Sequence, residues 1–295
     1  LINIIWQTEL SDRNALGNET TGQSEYIDKV IFRNIEHVDY FDNKQYKTFL
    51  DNSIIIYSAP LSDIDYGLKL YLEKYNSMGF KYILFHLSNE SLNHNYCYHN
   101  NAVHVFRFYY DPKINDTNIT TLPLGFVTGY MNNESSINLS NKRDIIASFI
   151  GQPKHDRQAL IDSMINMNNV FVHSTSQWNC PTSLSSKEVI DIYKRTIFIP
   201  CPIGNVSPDT LRLYEALEWG CIPVIKKYNG EDYYKYVFGA HPLPVVDDWD
   251  DLPDLFSKLI NDNLDTLIVS INTWYNEFKT LMVGMVEEIC LKIKQ

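Results

Sequence analysis

Short, uniformly apolar runs recur along the chain, separated by stretches with helical spacing. In the first half these runs are "INIIW" (Ile2–Trp6), "SIIIY" (Ser53–Tyr57), "KYILFHL" (Lys81–Leu87), "AVHVFRFYY" (Ala102–Tyr110) and "ITTLPLGF" (Ile119–Phe126). Such runs are short and apolar on both faces, which predicts strands buried between layers of helix. Residues 63–76 have helical spacing, with Gly79 as a stop signal. Strands alternating with helices predict a parallel sheet with helices on both faces.

The stretch "TGYMNNESSINLSNKR" (Thr128–Arg143) is polar and has no apolar period, so it reads as a linker. The alternation then restarts. "DIIASFIG" is a strand ending at Gly151, a helix follows from about Asp156, and "NVFVHST" (Asn169–Thr175) is the next strand. "SSKE" (Ser185–Glu188) is a capping box opening a helix through Tyr193. "TIFIPCP" (Thr196–Pro202), "CIPVI" (Cys221–Ile225) and "PLPVV" (Pro242–Val246) are further strands, and helical patterns run from about Asp251 to the end. The expected fold is α/β: two facing Rossmann-like domains with a cleft between them. The first spans 1–141, the second 142–274, and a last helix at about 275–295 is expected to pack back on the first. In such sheets ligands bind outside the carboxyl ends of the strands.

A length of 295 residues agrees with two domains rather than one core. The formal net charge of -11 argues against a nucleic-acid footprint, which needs a basic face. It leaves room for an anionic small molecule, since a pocket needs only a few placed cations and a helix N-terminus. The five cysteines (Cys97, Cys180, Cys201, Cys221, Cys290) are scattered and odd in number, which predicts reduced thiols in a cytosolic protein. Seven N-x-S/T sequons are present, but asparagine is abundant and most are chance matches. No apolar run reaches the length of a membrane span, and no signal peptide is visible. A cytoplasmic location is expected, with the Golgi lumen as the alternative if an N-terminal anchor preceded this chain.

The richest chemistry lies in "SPDTLRLYEALEWGCIPVI" (Ser207–Ile225). Ser207 reads as an N-cap, Pro208 suits the first helical position, and Gly220 suits the left-handed position past the end. Leu211, Leu213, Tyr214, Ala216 and Leu217 supply an apolar side, while Asp209, Arg212, Glu215 and Glu218 occupy the other. Two readings stand side by side. That polar face is solvated and holds a weak Arg–Glu pair, or it binds an anionic ligand carrying hydroxyls. In the second reading the Gly204–Ser207 loop would present backbone N–H groups to phosphate, and Glu215 would accept from a ribose diol.

"IFIPCPIGNVSPDTLRLYEALEWGCIPVI" resembles the signature of exostosin-type glycosyltransferases, the inverting family 47 group with the GT-B fold. "FIG" (Phe149–Gly151) followed by Arg157 resembles that family's first strand and phosphate-side loop in its second domain. "ILFHLSNE" (Ile83–Glu90), "VFRFYY" (Val105–Tyr110) and "LPLGF" (Leu122–Phe126) are similar to elements of related xylosyltransferase-like enzymes, among them members encoded by large DNA viruses. Two positions depart from the pattern: Ile203 stands where the family often has arginine, and Asn89 replaces the aspartate of Ser-Asp-Glu. The resemblance implies a UDP-sugar as co-substrate, with xylose the guess and galactose or glucuronic acid alternatives. It also implies a glycan hydroxyl as acceptor and no metal or other cofactor.

Inverting transfer needs charge stabilisation on the leaving diphosphate, a base for the acceptor hydroxyl, and alignment of the two. Candidates for donor binding are Lys154, Arg157, Gly204, Asn205, Ser207, Arg212 and Glu215. Glu90 is the leading base, His86 the second, and Glu9, just past the first strand, the third. Arg107 stands in an apolar strand and needs a partner, which is either a ligand in the cleft or a structural carboxylate. Asp63 and Asp65 open a predicted helix, where a cap is the ordinary role for aspartate, so no metal site is assigned. The loop 226–236 follows the "CIPVI" strand and is expected at the cleft. Two other classes compete: a non-catalytic nucleotide- or glycan-binding module of the same fold, and a sugar-nucleotide epimerase.

Overall fold

The computed structural model describes residues 1–8, 22–58, 66–88, 90, 92, 102–114, 116–134, 136–177 and 180–294. It divides into two compact units, the first made of residues 1–124 and 279–295, the second of residues 125–278.

The first unit is built on β1 (Ile2–Gln7), β2 (His37–Phe41), β3 (Ser53–Tyr57), α1 (Tyr66–Ser77), β4 (Tyr82–His86), β5 (His104–Arg107) and β6 (Ile119–Thr121). The strands form one sheet in the order β2-β1-β3-β4-β5-β6, and every pairing is parallel. β3, β4 and β5 are buried along their whole lengths, as uniformly apolar runs require. Helix α1 lays Leu68, Tyr71, Leu72 and Tyr75 on this sheet at helical spacing, against Ile55, Tyr82 and Leu84. Its buried tyrosines keep their hydroxyls satisfied: Tyr71 donates to the Thr48 carbonyl, and Tyr75 accepts from the Leu50 N–H at 3.0 Å. The edge strand β2 and a π-helical segment at Tyr26–Ile31 have no counterpart in the sequence reading. β2 is half polar, "HVDYF", and gives no continuous apolar run.

The second unit contains β7 (Ile145–Gly151), α2 (Arg157–Met164), β8 (Val170–Ser174), α3 (Ser186–Arg195), β9 (Thr196–Cys201), α4 (Leu211–Glu218), β10 (Ile222–Lys226), α5 (Lys235–Phe238), β11 (Val245–Val246) and α6 (Leu252–Asn261). Its sheet is also fully parallel, in the order β11-β10-β9-β7-β8. The order reverses between β7 and β9, which makes their carboxyl ends the switch point where open α/β sheets bind ligands. The 29-residue helix α7 (Leu264–Lys292) runs from the second unit into the first. Among the described residues no helix is long and apolar enough to cross a membrane.

The polar stretch 128–143 is not a free linker. Its side chains satisfy carbonyls left over at helix C-termini. Asn132 donates to the Glu218 carbonyl (2.8 Å) and Asn138 to that of Lys194 (3.0 Å). Arg143, itself buried, donates to the carbonyls of Asn138, Tyr193, Thr196, Trp219 and Gly220. Polarity that resembles a linker in sequence is here a set of caps for α3 and α4.

Candidate functional site

The loop between β9 and α4 begins as the sequence suggests but enters its helix late. Ser207 is not the N-cap and Pro208 is not the first helical residue, because α4 starts at Leu211 with Thr210 in the extended cap position. The reason is local. Ser207 Oγ accepts from the Asp209 N–H at 3.1 Å and Asp209 Oδ1 from the Thr210 N–H at 2.9 Å, so side chains hold these donors in turns. Asp209 also accepts from the Tyr214 hydroxyl at 3.0 Å.

The face carrying Asp209, Arg212, Glu215 and Glu218 is not solvated. Asp209 is 2% exposed, Glu215 8% and Glu218 7%. Arg212 reaches the carboxyl end of β7, where Nη2 donates to the Ile150 carbonyl at 2.8 Å and the guanidinium lies 4.8 Å from the centre of the Phe149 ring. Gly151 makes room for it. At φ +151° it adopts a conformation L side chains rarely take, and a Cβ there would stand 2.9 Å from Nη2. Nη1 of Arg212 is buried without a hydrogen-bond partner. Burial pushes the Glu215 carboxyl up to about 7, against the pull of Arg212 and a hydrogen bond from the Val127 backbone.

The other donor-side candidates gather around the same loop. Arg157 donates from Nη2 to the carbonyls of Ile203 (2.8 Å) and Gly204 (3.2 Å), so its guanidinium braces the loop. Lys154 donates to Asn205 Oδ1, joining the loop after β7 to the loop after β9. The Gly204 N–H closes a turn onto the Ser207 carbonyl at 2.9 Å.

Beside this loop, at the carboxyl ends of β9 and β10, lies a cavity of about 250 Å³ lined by Asp156, Cys201, Ile203, Lys226, Tyr228 and Tyr234, among others. Trp249 ties two of its walls together. Its indole N–H donates to Asp156 Oδ2 at 2.8 Å, and Lys226 Nζ lies 5.8 Å from the centre of its ring. Asp156 Oδ1 is buried without a hydrogen-bond partner. Sequence reasoning placed the loop 226–236 near a ligand but did not single out Asp156 or Lys226. Their only signal was position just beyond the ends of strands.

In the first unit the parallel register aligns Gln7, Tyr57, His86 and Arg107 on four neighbouring strands. Aligned residues project from the same side of a sheet, so these four make one polar row at the carboxyl ends of β1, β3, β4 and β5. All four are buried, Arg107 at 1% exposure. The Tyr57 and His86 rings are 5.4 Å apart, Gln7 donates to Asp42 at 2.5 Å, and Arg107 Nε donates to the Phe108 carbonyl at 3.3 Å. Glu90 follows β4 and is also buried. Glu9, Asn89, Asp63 and Asp65 lie outside the described residues.

The family model of the RXYLT1 C-terminal domain matches residues 128–291, more than half of the chain. Ribitol-5-phosphate xylosyltransferase 1 of Homo sapiens is 25% identical over 202 residues, covering 60% of this chain and 45% of that protein. The Mus musculus protein of the same name is 27% identical over 201 residues with the same coverage. The match thus spans less than half the length of these relatives. Among solved structures, an α1,3-fucosyltransferase aligns with a TM-score of 0.55 at 12% identity, covering 98% of this chain and 90% of that one. The fold is of the GT-B type, with two parallel-sheet α/β units.

Proposed function

From membership of the RXYLT1 C-terminal domain family, to which this chain belongs, we propose that it is an inverting glycosyltransferase that moves a sugar from a UDP-sugar to a glycan hydroxyl. The observation that carries the reading is the Arg212–Glu215 pair, drawn in at the sheet's switch point with a guanidinium nitrogen left over. Arg212 meets the diphosphate as negative charge builds on it, aided by the start of α4. Glu215, once ionised, accepts from the ribose hydroxyls. Lys154 and Arg157 hold the loop that shapes the site, and the cavity beside it receives part of the donor.

Glu90 serves as the base, with His86 and Arg107 in the row beside it orienting the acceptor. The acceptor hydroxyl gives its proton to the carboxylate, and its oxygen attacks the anomeric carbon. The bond from that carbon to the diphosphate breaks, and UDP leaves with the electron pair. Xylose as the sugar rests on the resemblance to xylosyltransferases, and independence of metal on a site in which arginine and a helix N-terminus carry the charge work.

Calorimetric titration with UDP, GDP and a panel of UDP-sugars, with and without EDTA, tests this. Binding of UDP and one UDP-sugar, unchanged by EDTA, is expected. Failure of every nucleotide to bind would sink the donor-site assignment. Ile203, which stands in the cavity wall where the resembling signature has arginine, favours one second reading, a binding module without turnover. Release of UDP from the bound UDP-sugar separates the two.

A further inference from the structure

The cavity beside the β9–α4 loop contains a carboxylate that does not do the work its position suggests. Asp156 precedes the first residue of α2, where aspartate ordinarily accepts from the backbone N–H groups of the helix start. Its side chain makes no such bond. Oδ2 accepts instead from the Trp249 indole at 2.8 Å, and Oδ1 is buried with no hydrogen-bond partner. Trp249 is itself fully buried, so this bond fixes the carboxylate in place. Holding one indole N–H takes one acceptor. The second oxygen is left over, and a buried acceptor without a donor is costly until something supplies one.

The rest of the lining says what shape that donor has. Cys201, Ile203, Pro208, Tyr228 and Tyr234 give the cavity mainly apolar and aromatic walls. Tyr234 is held by stacking on Phe238, with ring centres 5.7 Å apart, and by its hydroxyl, which donates to the Pro208 carbonyl at 3.2 Å. Such walls suit a flat ring that makes its polar contacts along one edge, as nucleobases do. They suit a sugar less well, since its hydroxyls need partners all round. Lys226 also lines the cavity, and its ammonium lies 5.8 Å from the centre of the same Trp249 ring. Its bond to Asp248 at 3.4 Å leaves it further N–H groups to donate. An acceptor and a donor therefore flank one indole. The wall formed by Ile203 and Pro208 leads straight into α4, which carries the ribose candidate Glu215.

We propose that this cavity takes the uracil base of the donor and that Asp156 is its specificity-determining residue: Oδ1 accepts from the uracil N3–H, while Lys226 donates to an adjoining carbonyl oxygen. This rests on the donor reading above and names which part of the donor the cavity receives. Cytosine carries a bare lone pair at N3, which would face the carboxylate oxygen and repel it.

The test is calorimetric titration of the full chain with UDP, CDP and 3-methyl-UDP, in which a methyl group replaces the N3 proton, for the wild type and D156N, alongside thermal melts. Asparagine keeps the shape. Its oxygen can hold the Trp249 bond while its amide N–H turns to the base. The wild type should bind UDP at least about tenfold more tightly than either analogue, the scale of one lost hydrogen bond to a charged group. D156N should lose about tenfold for UDP and bind CDP at least as tightly as UDP, while melting within about 3 °C of the wild type. A general disturbance of the site would weaken UDP and CDP together, so an unchanged ratio in D156N overturns the proposal. So does a wild type that binds all three nucleotides within about twofold of one another. If D156N does not fold, the two wild-type ratios decide. A wild type that binds no nucleotide refutes the donor reading itself, which differs from binding without choice of base.

Discussion

Glu215 joins burial to function at a single carboxyl. Its folded value of about 7 lies above the ordinary 4.5, so the folded state holds more protons than the unfolded one between those limits. Stability therefore falls as pH rises through that window, by up to about 3 kcal/mol. E215Q should abolish this slope, which urea titrations at pH 5 and pH 8 would reveal. Ligand binding should run the other way. Only the ionised carboxylate can accept from both ribose hydroxyls, so UDP affinity should rise from pH 6 to pH 8 in the wild type and stay level in E215Q. A level wild-type profile would remove Glu215 from the ribose role. Gly151→Ala should push Arg212 aside and weaken UDP binding about tenfold or more, which titration at constant pH would measure. Arg212 and Glu215 were legible in the sequence because their spacing belongs to one helix. Asp156 was not, because the cavity wall it shares with Tyr234, a residue of the loop 226–236 expected at the cleft, is assembled from separate loops whose side-chain directions depend on Trp249, Phe238 and Pro208.

At the level of elements, strands buried on both faces were the most legible. β3 spans the same residues, Ser53–Tyr57, as the apolar run that predicts it, and the capping box at Ser185 and Glu188 opens α3 as read. What escaped were elements whose pattern is diluted by solvent, such as edge strand β2, and ends set by side-chain competition, such as the late start of α4. The stretch 128–143 shows a third failure, since polarity identifies a group that needs partners without saying whether water or a helix end supplies them. Arg143 is the centre of that stretch. R143L would leave carbonyls of both α3 and α4 without their donors and should cost about 3–5 kcal/mol, seen as a lower urea midpoint with an unchanged slope. Gly220→Ala at φ +65°, with its Cβ 2.7 Å from Ile137, should cost about 1–3 kcal/mol by the same measurement.

For the whole molecule, two units with separate sheets imply that a ligand held by one need not stabilise the other. UDP at about a hundred times its dissociation constant should add about 2.7 kcal/mol to the unit that binds it. Hydrogen exchange should then show slower opening of β7, β9 and α4, while amides of β3 and β4 change little. Equal protection of both sheets would contradict a donor site confined to residues 125–278. The division into two α/β halves was legible from the restart of the strand–helix alternation. The route of the last helix was legible only in outline.

That helix has a consequence for how the protein is made. Val283, Val286, Cys290 and Ile293 are buried, and they belong to the first unit although they are among the last residues in the chain. A ribosome that has delivered residues 1–124 has delivered an unfinished core, and one that has delivered residues 125–278 has delivered a second unit with all of its own residues. The half synthesised first is thus the half completed last. Until residues 279–293 have been delivered, the first unit's apolar core must wait for a segment that does not yet exist, and a chaperone is most needed there.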